Sequence, residues 1–65
     1  MCEAHAYLIA ENGQDKIMEN VIRIAYDESG ALVLTDLFGD EMRLEARIRE
    51  IALIEHKIYL EGIPS

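Results

Sequence analysis

The sequence is poor in the residues that staple small proteins. Among 65 residues there is one cysteine, Cys2, one proline, one phenylalanine and no tryptophan. One cysteine excludes an intrachain disulfide framework, and with only His5 and His56 as histidines no Cys/His quartet exists for a closed zinc site. Basic side chains are also scarce: six face thirteen acidic ones, a formal charge of −7. Phosphate backbones are repelled by such a chain, so nucleic acid is not an expected partner. The acidic residues lack the Asp-x-Asp-x-Asp-Gly spacing that gathers calcium and read as solvated surface. No Ser/His/Asp grouping and no glycine-rich phosphate loop is present, so no enzyme is expected.

Long apolar runs are missing too. None approaches the roughly 20 residues of a membrane-spanning helix, and a start containing Glu3 and Glu11 does not resemble a secretory signal. The expectation is a soluble cytoplasmic protein without a membrane partner, whose Cys2 stays a thiol unless two copies oxidise to each other.

What is present is apolar residue in short pieces, 51% of the chain, too much for disorder. The length allows a single domain, 1–65, whose core only narrowly offsets an ordering cost of about 1 to 2 kcal/mol per residue. With disulfides and a closed zinc site excluded, oligomerisation is the remaining source of stability.

Polar turns divide the chain into segments of strand length. "AYLIAENGQDKIM" reads as a hairpin turning at Asn12-Gly13, a pair suited to the positive φ angles of a type I′ turn. "NVIRIAY" follows, closed by "DESG", and then "ALVLT", closed by "DLFGDE". In "EMRLEARIRE", Met42, Leu44, Ala46 and Ile48 alternate with charged residues, as one buried face of a strand does. A helix competes, since Leu44, Ile48 and Ile51 fall at spacings of four and three among good helix formers. The nine-residue alternation favours strand. "EHK" and "IYLE" close a last short hairpin before a tail, "GIPS", expected to be disordered. The fold class is all-β, a small barrel or sandwich of short antiparallel strands.

The opening "MC", the central "LTDLFGDE" and the closing "RIREIALIEHKIYLE" resemble the CooT-type small nickel-binding proteins, accessory factors linked to nickel insertion into carbon monoxide dehydrogenase. The resemblance covers nearly the whole chain. It implies an Sm-like or SH3-like barrel, a homodimer, and one Ni(II) held between the two Cys2 residues for delivery to a nickel-enzyme client. Only Cys2 maps onto the family's metal position.

The chemistry of Cys2 is compatible with that role. An ordinary thiol ionises near pH 8.5 and a terminal amine near 8, and Ni(II) accepts sulfur and nitrogen donors in a plane. The Cys2 sulfur and its own backbone nitrogen close a five-membered chelate ring. With Met1 removed, two chains offer N₂S₂; with Met1 kept, its amine, the Cys2 amide and the Cys2 sulfur form an N,N,S set.

The other candidates read more plainly. His5 sits too far along for a terminal x-x-His trap, and on a strand it faces away from Cys2, so it is expected to be a solvated side chain rather than a ligand. His56 is expected to shape a turn, and Phe38 to be a core plug or dimer contact. Arg43, Arg47 and Arg49 suggest a salt-bridged surface. Tyr7, Tyr26 and Tyr59 suggest the amphipathic edge of a core. Two competing functions remain: an Sm-like adaptor or RNA-binding-type module with no metal role, against which the charge weighs, and a thiol redox sensor working through a Cys2 disulfide between chains.

Overall fold

A computed structural model describes residues 4–63; Met1, Cys2, Glu3, Pro64 and Ser65 lie outside the described residues. Six strands follow one another: β1 (Ala4–Ala10), β2 (Gly13–Tyr26), β3 (Leu32–Asp36), β4 (Glu41–Leu44), β5 (Ala46–Ala52) and β6 (Lys57–Gly62). They form one sheet in the order β4-β3-β2-β1-β6-β5. Every pairing is antiparallel except that of β1 with β6, which is parallel from His5↔Lys57 to Ile9↔Glu61. The all-β expectation therefore holds, with one parallel pair added.

The sheet cannot be flat. β4 and β5 occupy its opposite edges yet are separated in sequence by Glu45 alone. Laid flat, six strands would put those edges about 24 Å apart, far beyond the reach of one residue. The sheet must curl into a half-barrel, with Glu45 at the corner. The predicted single strand 41–49 is thus two strands. Its inward set survives the corner, since Ala46 is fully buried and Leu44 and Ile48 pack against the core. Tyr26, at the end of β2, ties the curl across the barrel: its hydroxyl accepts the Ile48 N–H of β5 at 3.0 Å.

Inside the curl lie Ala6, Val21, Leu32, Leu34, Ala46, Ile58 and Leu60, one or two from each strand except β4. Alanine at positions 6 and 46 keeps the interior narrow enough for the three leucines to fill it.

The turns show where sequence chemistry decides. In the β1–β2 hairpin, Ala10 pairs with Gly13, so Glu11 and Asn12 are the turn centre, one residue earlier than expected. Only Gly13 of these takes positive φ, 141°; glycine accepts it without strain, whereas a type I′ turn would require it of Asn12 as well. Loops 27–31 and 36–40 are built alike. In each, an aspartate at the first position accepts two backbone N–H groups with Oδ1, from Ser29 and Ala31 in one and from Phe38 and Asp40 in the other. The same backbone bonds close both, and Gly30 and Gly39 supply the positive φ. In the first loop the Ser29 hydroxyl, then the two N–H groups and the Arg43 guanidinium, hold the Asp27 carboxyl below the usual carboxylate range.

Two expectations are corrected here. Phe38 is not a core plug: it stands 81% exposed at the tip of loop 36–40, because its turn points away from the sheet. The tail is ordered further than predicted, since Gly62 ends β6 and the Ile63 N–H donates to the Glu45 carbonyl at 3.2 Å.

Leu34→Ala is expected to destabilise the fold by about 2 to 5 kcal/mol, because Leu34 is fully buried with neighbours on every side of the curl; urea unfolding followed by circular dichroism measures it.

Candidate functional site

The described part of the sequence-predicted site begins at Ala4, two residues after Cys2. Cys2 itself lies outside the described residues, so the site is defined by what surrounds the start of β1. Antiparallel pairing of β1 with β2 places Ala4 opposite Val21, and Val21 also faces Asp36 at the end of β3. Parallel pairing brings the start of β6 alongside. The start of β1, loop 36–40 and turn 53–56 therefore share one end of the barrel. Turn 10–13 and loop 27–31 occupy the other.

The two ends differ in character. The far end carries Glu11, Asn12, Glu28 and Ser29, all exposed and polar. The end where β1 begins exposes Phe38, Leu53 at 77% and Ile54 at 95%. Beside them lies a shallow apolar dent of about 160 Å³, lined by Ala4, Ile51, Ala52, Leu53, His56 and Lys57. Exposed apolar side chains gathered at one end mark an interaction surface rather than solvated coil.

His5 is not a solvated histidine. β2 carries a bulge opposite it, where Asn20 adopts φ 55°, a conformation asparagine tolerates better than most residues. The bulge takes the Asn20 N–H out of the ladder, and His5 Nδ1 accepts it at 3.3 Å. The Asn20 carbonyl in turn accepts the Leu37 N–H at 2.9 Å. A row of hydrogen bonds thus runs from β1 through Asn20 to loop 36–40. With Nδ1 engaged, only Nε2 of His5 is free to meet a ligand.

His56 shapes its turn, as expected. It takes φ 57°, donates its N–H to the Leu53 carbonyl at 3.2 Å, and its carbonyl accepts the His5 N–H at 2.9 Å. Among the described residues no group of three or more His, Cys, Asp or Glu side chains could hold a metal ion.

The remaining candidates are structural. Arg43 pairs with Asp27 at 2.7 Å and Arg47 with Glu61 at 3.4 Å, both on exposed strand faces, pairs that contribute little singly. Lys16 and Glu19 form a third exposed pair at 3.0 Å; hydrogen bond and charge raise the lysine pKa and lower that of the glutamate. Tyr7 and Tyr59 stack in register on the outer face of β1 and β6, centroids 5.9 Å apart, with Lys57 Nζ 5.7 Å from the Tyr7 ring. Sequence reasoning missed Asn20 and the pairing of His5 with it, although an asparagine between two strand-like runs was visible.

The sequence pattern of the CO dehydrogenase accessory protein CooT matches residues 1–61, Cys2 included. The chain belongs to the CooT family. As a family of accessory proteins, CooT is a factor rather than an enzyme. The chain is 36% identical over 62 residues to an uncharacterized protein of Methanocaldococcus jannaschii, covering 95% of this chain and all of that one. Its fold is that of the crystal structure of a protein designated CooT from Carboxydothermus hydrogenoformans, with a TM-score of 0.88 and 28% identity over 97% of this chain and all of the other. Among the described residues, no helix of this chain is long and apolar enough to cross a membrane.

His5→Leu is expected to cost about 0.5 to 1.5 kcal/mol of stability, since the half-buried Asn20 N–H loses its acceptor. Urea unfolding followed by circular dichroism measures the loss.

Proposed function

We propose that two copies of the chain bind one Ni(II) between their Cys2 residues and deliver it to a carbon monoxide dehydrogenase. The observation that carries this reading is membership of the CO dehydrogenase accessory family over a span that includes the only cysteine. The donor set fits: a thiolate with its adjacent backbone nitrogen forms a chelate suited to planar Ni(II), and two chains complete four donors. Nickel here is cargo, and a site shared between two chains at an exposed end lends itself to release. Cytoplasmic location accords with a thiol that must stay reduced.

The homodimer is supported by physical need and by surface. A 65-residue chain has a thin core, and Leu53 and Ile54 beside the apolar dent at Ala4 provide area for a second copy to cover. A contact at that place brings two β1 starts, and with them two Cys2 residues, toward each other about a two-fold axis.

Two outcomes are expected. Ni(II) titration of the wild type should saturate at one metal per dimer with a thiolate-to-nickel charge-transfer band in the near ultraviolet; Cys2→Ser should lose both while light scattering still reports a dimer. Ile54→Glu should halve the mass by light scattering and abolish metal sharing, because a buried unpaired carboxylate disfavours the contact. A dimeric Ile54→Glu protein would move the interface elsewhere.

A further inference from the structure

We propose that loop 36–40 is a docking knob for the protein that receives the metal, seating Phe38 in an apolar pocket rimmed by basic side chains; the choice of partner rests on the accessory role proposed above.

Loop 27–31 acts as an internal control. It repeats the hydrogen bonds of loop 36–40, an aspartate Oδ1 bracing the backbone and a glycine at positive φ, yet carries Glu28 and Ser29 where the other carries Leu37 and Phe38. The turn geometry therefore does not require apolar residues at its tip. Phe38, 81% exposed, contributes almost nothing to the core, and Leu37 is 41% exposed. A large aromatic held out by a turn that the fold would form without it is the usual anchor of a protein contact.

The knob is pre-organised. Asp36 Oδ1 accepts both the Phe38 and Asp40 N–H groups at 2.9 Å, and the Leu37 N–H is tied to Asn20 of β2. Little conformational freedom remains to be lost on docking. The same row of bonds continues through Asn20 to His5, so a partner gripping Phe38 is brought to the end of the barrel where β1, and with it Cys2, begins.

Charge selects the occupant. Asp36, Asp40 and Glu41 flank the aromatic along the chain, and no lysine or arginine occurs between residues 31 and 42. A second copy, itself carrying −7, would present a poor complement to this loop; a pocket with lysine or arginine at its rim would be attracted to it. The knob thus points to a heterologous protein, distinct from the contact at Leu53 and Ile54.

The test is binding of purified, nickel-free carbon monoxide dehydrogenase from the same organism, immobilised and probed by interferometry with the full chain. Wild-type protein should bind, more weakly as salt rises. Phe38→Ser should weaken binding about tenfold or more, with circular dichroism, dimer mass and Ni(II) stoichiometry unchanged, and Glu28→Ser in the matching loop should bind as wild type. Cys2→Ser should also bind as wild type, since docking does not require metal. Equal affinity of Phe38→Ser and wild type overturns the proposal, as does absence of wild-type binding. So does dissociation of the dimer in Phe38→Ser, which would make the loop a contact between copies. Failure of the nickel reading appears separately, as wild-type protein that takes up no Ni(II) while still binding the enzyme.

Discussion

The fold depends on one covalent constraint. Glu45 joins the two edge strands of a six-stranded sheet, and a single residue cannot span a flat sheet. Curling follows from that connection, and an interior follows from curling: Ala6, Leu32, Leu34, Ala46 and Leu60 reach complete burial in a chain only 65 residues long. Twist and bulges make the curl possible. The bulges in β2 opposite Ala4–Tyr7 and in β5 between Ile48 and Glu50 fall where the sheet must bend most or re-aim a side chain.

Asn20 shows how such a bend acquires a further use. Next to it, Val21 is the residue at which β2 passes from pairing with β1 to pairing with β3. Changing partners strands one backbone donor and one acceptor, and the neighbours take them up: His5 receives the N–H, and Leu37 supplies a donor to the carbonyl. The result is a rigid row across one end of the barrel. At the opposite end the exposed turn residues Glu11, Asn12, Glu28 and Ser29 are polar, so the two ends of the barrel differ in character.

Much of this was legible in the sequence. The turn-forming strings around Gly30 and Gly39 and the inward set Leu44, Ala46 and Ile48 rest on local rules, and the structure follows them. The shifted hairpin turn at Glu11-Asn12 was not legible, since Asn-Gly suits a type I′ turn equally well and register with Lys16 and Met18 decides. The helical spacing of Ile48 and Ile51 has a simple origin. Arg49 is a bulge, so residues three apart fall on one face, opposite Leu60 and Ile58, although only Ile48 packs against the core and Ile51 stays exposed. The parallel pair was beyond local reading altogether, because nothing in "HAYLI" or "KIYLE" announces a partner at the far end of the chain. For the candidate site, the family resemblance rather than composition pointed to Cys2, while the company of Phe38, Leu53 and Ile54 at the end where β1 begins emerges only from topology.

The parallel pair also bears on the order of assembly. His5 meets Lys57 across 52 intervening steps of chain, the kind of long-distance closure that slows folding even in short proteins. During synthesis the earliest strand to leave the ribosome waits for the latest before its second edge is covered. The end of the barrel where β1 begins is accordingly the last part of the molecule to acquire its shape, and an unfinished chain offers no assembled surface there.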